Sequence, residues 1–214
     1  MSEYIFNPRE TFLARCWWQG SRISVGPQTW ADAQDRLAAL WVESGSQGAR
    51  GHWDRYLQSE KDGVLEKHLA PLDYPSSTQQ YYELFWFGAY TKGSVSDEKT
   101  RYYDIRPADR VWTLSNWVLD GNASFLSGYV GIWAADAPAA ALRKPQGSRL
   151  WTIDGLGREL KRGERQFNLQ WVTPDGGELK RFSYYGDHFF NTRKGEAGLI
   201  AMEILSIPHH FEEI

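Results

Sequence analysis

Cysteine is almost absent from this chain of 214 residues, in which Cys16 is the single example. One cysteine cannot form an intramolecular disulfide, and zinc sites built on several thiolates are excluded. Cys16 precedes Trp17-Trp18 in the apolar and aromatic run of residues 11–18, which predicts a first strand. That setting indicates a small buried side chain rather than a nucleophile.

Long hydrophobic runs are also missing. No apolar run approaches the roughly 18 residues that a membrane helix needs. The N-terminal residues lack a basic region followed by an apolar stretch, which is the pattern of a secretory signal. We therefore expect a cytoplasmic protein.

Neither sign of charge dominates, since 24 Lys and Arg face 27 Asp and Glu for a formal net charge of -3. This balance lacks the basic footprint of a nucleic-acid-binding protein. Basic residues are in mild excess only between residues 143 and 165, which we interpret as a solvated face of a loop and strand. They are Arg143, Lys144, Arg149, Arg158, Lys161, Arg162 and Arg165, against Asp154, Glu159 and Glu164.

Recognisable catalytic motifs are lacking, because the chain contains neither H-E-x-x-H nor G-x-S-x-G. The nearest approach is Asp175, Glu178 and Lys180, which spell the P-D and E-x-K elements of metal-dependent nucleases. In that chemistry two carboxylates hold a divalent metal and the lysine assists at the phosphate. Asp175 lies in a predicted turn close to Glu178, so the spacing disfavours convergence, and a nuclease is kept as an alternative.

Aromatic residues are abundant, with 11 Trp, 11 Tyr and 10 Phe. Such side chains favour sheets and large buried areas, and Trp and Tyr are also enriched at protein interfaces. A second alternative is therefore a carbohydrate-binding module, in which a flat row of exposed Trp side chains would stack on sugar rings.

The clearest local pattern runs from Arg165 to Gly186, where apolar residues alternate on both sides of Pro174-Asp175-Gly176-Gly177. Alternation interrupted by turn-forming residues predicts a β-hairpin. The dipeptide Asp120-Gly121 predicts a second, two-residue hairpin between residues 111–119 and 123–133.

Residues 30–44 have the pattern of an amphipathic helix, with Thr29 as the N-cap and Trp30, Leu37 and Trp41 on one face. A second short helix is predicted over residues 52–59, and residues 196–207 fit a helix or an edge strand. We predict an α+β fold, a mostly antiparallel sheet with the helix of residues 30–44 packed on one face. The interpretation is one domain over residues 1–214, with a possible subdomain split near residue 95.

The segment Cys16-Trp17-Trp18-Gln19, the predicted helix with Ala33, Arg36 and Leu37, and an isolated Trp53 form a recognisable combination. Over residues 12–60 it resembles immunity proteins of bacterial polymorphic-toxin and type VI secretion systems. The most similar group is the one paired with restriction-endonuclease-like toxins. The chain has Gln19 where that family usually has glycine.

The resemblance implies a cytoplasmic, non-enzymatic protein without cofactor or metal that inhibits one cognate toxin stoichiometrically. Acidic groups can occupy a toxin site built for phosphate, and aromatic anchors with a charged rim are typical of tight inhibitors. The residues expected at that rim are acidic and lie in predicted loops or turns. They are Asp97, Glu98, Asp104, Asp109, Asp120 and Asp136.

Overall fold

The computed structural model describes residues 4–21, 35–43, 53–61, 81–93, 100–108, 117–121, 130–134, 149–173, 175–184 and 186–207. In these ranges it contains fourteen strands and one short 3-10 helix, Pro8–Glu10. The strands are β1 (Tyr4–Phe6), β2 (Phe12–Ser21), β3 (Asp35–Glu43), β4 (Trp53–Lys61), β5 (Tyr81–Tyr82), β6 (Leu84–Lys92), β7 (Tyr102–Ala108), β8 (Trp117–Asp120), β9 (Gly131–Ala134), β10 (Leu150–Asp154), β11 (Arg165–Val172), β12 (Lys180–Tyr184), β13 (Asp187–Asn191) and β14 (Glu196–Ser206). No helix in these ranges has the length and hydrophobicity that a membrane span needs.

The sheet is organised around a long antiparallel ribbon of β2 and β14, paired from Gly198↔Ser21 to Ser206↔Leu13. Gly198 allows a close approach inside this ribbon, because a Cβ at that position would overlap the Trp18 ring. The ribbon therefore pairs a strand close to the start of the chain, β2, with the last strand of the described residues, β14.

Two closed rings of antiparallel strands share this ribbon as a common wall. The first ring runs β2, β6, β7, β10, β11, β14 and returns to β2. The second ring runs β2, β3, β4, β13, β12, β14 and returns to β2. The first uses residues 12–15 of β2 on one edge and the second uses residues 17–18, so the rings are stacked along the ribbon.

The hairpin of β8 and β9 joins the two rings on the side opposite the ribbon. Val130 donates its N–H to the Phe190 carbonyl at 3.0 Å and accepts from the Leu57 N–H at 3.0 Å, so it lies between β13 and β4. The Trp151 indole of β10 donates to the Leu119 carbonyl of β8 at 3.1 Å. The hairpin therefore hydrogen-bonds strands from both rings.

Aromatic and aliphatic side chains fill the interiors of both rings as one hydrophobic cluster. In the first ring Phe12 stacks on Phe87, and Trp171 meets Phe87 edge to face with centroids 5.6 Å apart. In the second ring Trp18 lies 5.4 Å from Phe190. Among the described residues, these side chains are in direct contact inside both rings.

The predicted α+β class is wrong, because residues 35–43 of the expected helix form β3 and pair with β4 from Asp35↔Lys61 to Glu43↔Trp53. Residues 30–34 lie outside the described ranges. The error has a physical cause: Leu37, Ala38 and Ala39 are all buried, so both faces of β3 are covered. A strand buried on both faces loses its period-2 pattern, and an apparent 3.6-residue stripe then carries no information. The short helix predicted over residues 52–59 is also wrong, since β4 occupies residues 53–61.

The hairpin predicted over residues 165–186 is found only around its turn, where Val172 forms an antiparallel bridge to Glu178 and Leu179 donates its N–H to the Trp171 carbonyl. The chain does turn after Thr173, where its N–H donates to the Gly177 carbonyl. However, β11 and β12 then lie end to end along the same edge of β14, at residues 200–203 and 196–197. Strand β12 forms its hairpin with β13 instead. Asp120 pairs with Gly131, so Asp120-Gly121 does not form a two-residue hairpin.

The strand predicted over residues 11–18 is confirmed by β2, and the choice left open for residues 196–207 is resolved as the strand β14. This strand lies inside the sheet rather than at its edge, since it pairs with β2, β11 and β12. The single-domain interpretation stays a prediction. Among the described residues, one hydrophobic cluster extends through both rings.

Candidate partner-binding site

Of the six acidic residues expected at a binding rim, four lie outside the described residues. They are Asp97, Glu98, Asp109 and Asp136. Asp104 lies inside β7 rather than in a loop, and its side chain is 4% exposed. Asp120 is the last residue of β8 and is 14% exposed. That these residues contact a partner stays a prediction, although the loop location assigned to Asp104 is wrong.

The structure brings Asp104 and Asp120 together through two arginines. Arg106 donates to Asp104 Oδ2 from Nε at 3.0 Å and from Nη2 at 2.8 Å, and Arg149 donates to Asp120 Oδ2 at 3.2 Å. Burial raises the pKa of Asp104, and the positive charges of Arg106 and Arg149 oppose that rise. The two aspartates therefore belong to an alternating chain of charges and present little negative charge to solvent.

The three residues of the nuclease alternative have separate contacts. Asp175 accepts a hydrogen bond from the Thr173 hydroxyl inside the turn, and Lys180 Nζ donates to the Arg193 carbonyl at 3.5 Å. The backbone of Glu178 forms an isolated antiparallel β-bridge with that of Val172. No group of three potential metal-ligating side chains occurs in the described part of the chain.

The described tryptophan side chains are buried. Each is at most 5% exposed, and they are Trp17, Trp18, Trp86, Trp151 and Trp171. They form no exposed row on which a sugar could stack, so the carbohydrate-binding alternative gains no support from them. Cys16 is likewise buried, and burial raises the pKa of its thiol, as expected for a side chain that acts as a small hydrophobe.

A polar cleft of about 310 Å³ opens at the end of the first ring, away from the second. One side is the connection between β10 and β11, residues 155–164, which we call the cap. Leu156 and Leu160 of the cap pack against the core cluster. The cap is fastened to β14 by two backbone hydrogen bonds, from Gly163 N–H to the Ile204 carbonyl at 2.7 Å and from Ile204 N–H to the Glu164 carbonyl at 2.9 Å.

The carboxylate of Glu164 holds the shape of the cap from within. It accepts from the Lys161 backbone N–H at 2.8 Å and from Gln166 Nε2 at 2.6 Å. Gly155 begins the cap with φ +86°, a conformation that glycine adopts without steric cost. The cap is therefore an ordered turn whose remaining charged side chains, Arg158, Glu159, Lys161 and Arg162, are exposed.

The opposite side of the cleft is an ion pair between Glu10 and Arg101. Arg101 donates from Nε to Glu10 Oε2 and from Nη2 to Oε1, the latter at 2.9 Å. Glu10 is fixed by the 3-10 turn, which Asn7 caps by accepting from the Arg9 N–H at 3.2 Å. Two parallel hydrogen bonds orient the guanidinium as well as neutralise it.

Tyr103 lies at the base of the cleft and its ring packs on Phe12. Burial raises the pKa of Tyr103, and the negative charge of Glu10 raises it further while Arg101 lowers it. The phenol is therefore protonated at neutral pH and remains a hydrogen-bond donor. Asp154 and Arg158 complete the charged lining, with apolar contributions from Ile153, Leu156 and Leu160.

Polar side chains also gather at the far end of the second ring. Arg181 contacts Asp35 and lies over the Trp18 ring, 5.0 Å from its centroid. Two residues further along β12, Ser183 Oγ lies 2.9 Å from His188 Nδ1. This is a cross-strand pair in the register of the β12–β13 hairpin.

Sequence reasoning missed the cleft because its parts are distant in the chain. Glu10 and Arg101 are separated by 91 positions, and no local pattern links them. The basic excess between residues 143 and 165 was visible, but nothing in the sequence places it beside Glu10 and Arg101. Comparison with protein-family models, with curated proteins and with solved structures finds no match to this chain.

Proposed function

We propose that this chain is an immunity protein that binds a cognate secreted nuclease-type toxin in the cytoplasm and neutralises it by stoichiometric inhibition. The resemblance of Cys16-Trp17-Trp18-Gln19 and Trp53 to such proteins is the starting point. The predicted helix that belonged to this resemblance is strand β3, so the resemblance now rests on fewer features.

The observation that carries the proposal is the pair of filled rings. Where side chains occupy the interior to this extent, a partner meets the protein on its outer surface. The cap, a connection held to β14 by two backbone hydrogen bonds, is preorganised, which reduces the entropy lost on binding. The ordered cap beside a polar cleft is a surface of this kind.

Co-expression in bacteria with the product of the adjacent gene tests the proposal. We expect the intact chain to restore growth, and calorimetric titration of the purified pair to give one-to-one binding with a Kd on the order of nanomolar or tighter. Trp18→Ala is the negative control, because loss of this buried ring at the ribbon is expected to cost about 3–5 kcal/mol, a large share of the stability of a typical domain. Unchanged toxicity together with the absence of binding heat would overturn the proposal.

A further inference from the structure

We propose that the cap and the adjoining cleft form the surface that contacts the toxin, and that they receive a carboxylate-rich segment of it. This inference rests on the proposed function and names the contact. It differs from the expectation drawn from the sequence, in which acidic residues of this chain would meet a basic toxin.

The cap exposes more basic than acidic side chains. Arg158, Lys161 and Arg162 are exposed, and Glu159 is the one exposed acidic residue of the cap. The other carboxylate of the cap, Glu164, already accepts two hydrogen bonds within it. Counting Glu164, the cap carries three positive and two negative side chains, so it has one excess positive charge while the whole chain has a formal net charge of -3.

Both sides of the cleft carry hydrogen-bond donors. Arg101 is held in one orientation by Glu10, and the phenol of Tyr103, which is protonated at neutral pH like any tyrosine, lines the cleft. Arg158 reaches the cleft from the cap. Positioned donors of this kind match a carboxylate, which accepts hydrogen bonds on two oxygens.

Part of the lining is apolar, formed by Ile153, Leu156 and Leu160. A cleft that combines apolar and charged lining suits a protein side chain better than a bare ion. In metal-dependent nucleases, Asp and Glu carboxylates hold the divalent cation, so their active sites are carboxylate-rich. A basic cap inserted there would complement those carboxylates.

Two carboxylates in the lining oppose this assignment, Glu10, which is paired with Arg101, and Asp154. Asp154 is exposed at the end of β10, beside the first residue of the cap. The negative charge of Asp154 repels an acidic ligand, so removing that charge should increase the affinity for the ligand. Asp154→Asn is expected to strengthen binding of an acidic ligand by about two- to fivefold.

The direct experiment uses NMR titration of the full chain with capped hexaglutamate peptide. We expect its chemical-shift changes to concentrate on the amides of residues 154–164.

The variant Arg158→Glu/Arg162→Glu should weaken this binding by about tenfold or more. The matched control Arg193→Glu/Lys194→Glu changes the net charge equally in the exposed turn before β14. That turn lies about 27 Å along β14 from Ile204, so the control should leave binding within about twofold. Equal thermal unfolding midpoints establish that both variants fold.

Capped hexalysine and a twelve-residue oligothymidylate represent the other ligand classes. Tighter binding of hexalysine than of hexaglutamate at residues 154–164 would overturn the proposal. Tighter binding of oligothymidylate at residues 154–164 would assign the surface to phosphate and overturn the proposal. Absence of hexaglutamate shifts there, or equal weakening by the control variant, would overturn it as well.

Co-expression then connects the surface to the function. Growth rescue by the wild-type chain and the control variant, but not by Arg158→Glu/Arg162→Glu, would assign the toxin contact to the cap. Rescue by all three would place the contact elsewhere while leaving the proposed function standing. Failure of the wild-type chain itself would remove the proposed function, whatever the peptide titration gives.

Discussion

At the scale of single residues, Asp104 gives the protein a predictable pH dependence. Burial raises its pKa in the folded chain, so the native state binds this proton more tightly than the unfolded state does. The resulting contribution to stability is complete below the ordinary aspartate pKa of about 3.9 and is lost as pH rises through the folded pKa.

We therefore expect the difference in free energy of unfolding, wild type minus Asp104→Asn, to increase as pH is lowered from 7 toward 4. Urea denaturation of both proteins at several pH values measures this difference. The Asn variant is its own control, since it keeps the shape of the side chain and cannot titrate. A difference that stays constant with pH would contradict the prediction.

Gly198 is a second residue whose replacement has a defined cost. A Cβ there would overlap the Trp18 ring and the Gly20 carbonyl inside the β2–β14 ribbon. We expect Gly198→Ala to destabilise the protein by about 1–3 kcal/mol in chemical denaturation. Gly157→Ala is the control, because its nearest neighbour would be the Gln166 amide at 3.4 Å, and it should change stability by less than about 0.5 kcal/mol. Equal effects of the two substitutions would refute the steric argument.

At the scale of elements, the Trp151 indole ties β10 to β8. Trp151→Phe removes its hydrogen bond to the Leu119 carbonyl and leaves that buried acceptor unsatisfied. Trp171→Phe makes the same change of volume in the same core, yet the Trp171 Nε1–H finds no acceptor among the described residues. The first substitution should cost about 1–3 kcal/mol more than the second in urea unfolding. A difference near zero would show that the indole bond contributes nothing to holding the β8–β9 hairpin.

The same scale explains what could be predicted from the sequence. Strand β2 is apolar, aromatic and β-forming, and its local pattern was sufficient. Strand β3 was mistaken for a helix, because Leu37, Ala38 and Ala39 are buried by partners that pairing brings from elsewhere in the chain. The hairpin predicted around residue 174 extends no further than its turn for a related reason. Strands β11 and β12 both pair with β14, at successive positions along the same edge, rather than with each other.

The site was harder to predict than the fold. The basic residues of the cap were apparent, but the Glu10–Arg101 pair depends on ring closure between distant segments. Asp104 looked like a loop residue because alternation in β7 places a charged side chain on a buried outer face beside Arg106. Ion pairs between segments distant in the chain, such as Glu10–Arg101, leave no spacing rule in the sequence, because only the fold brings them together.

At the scale of the whole molecule, the shared ribbon and continuous core predict a single cooperative unfolding transition. Fluorine NMR of protein labelled with 5-fluorotryptophan can follow Trp171 in the first ring and Trp18 in the second, with assignments from Trp→Phe variants. We expect the same urea midpoint for both signals, because neither ring keeps its wall when the other opens. Two separate midpoints would instead support subdomains, as the possible split near residue 95 supposes.

The position of β14 in the chain has a consequence for biosynthesis. Strand β2 emerges early from the ribosome, but its long pairing edge has no partner until residues 196–206 have been translated. Until then both rings are open and the nascent chain exposes unsatisfied strand edges, which makes it a client for chaperones. Pairing across so long a stretch of sequence is also slow. A newly synthesised chain therefore cannot close either ring until residues 196–206 have been translated, so the folded protein present at any moment consists of molecules made earlier.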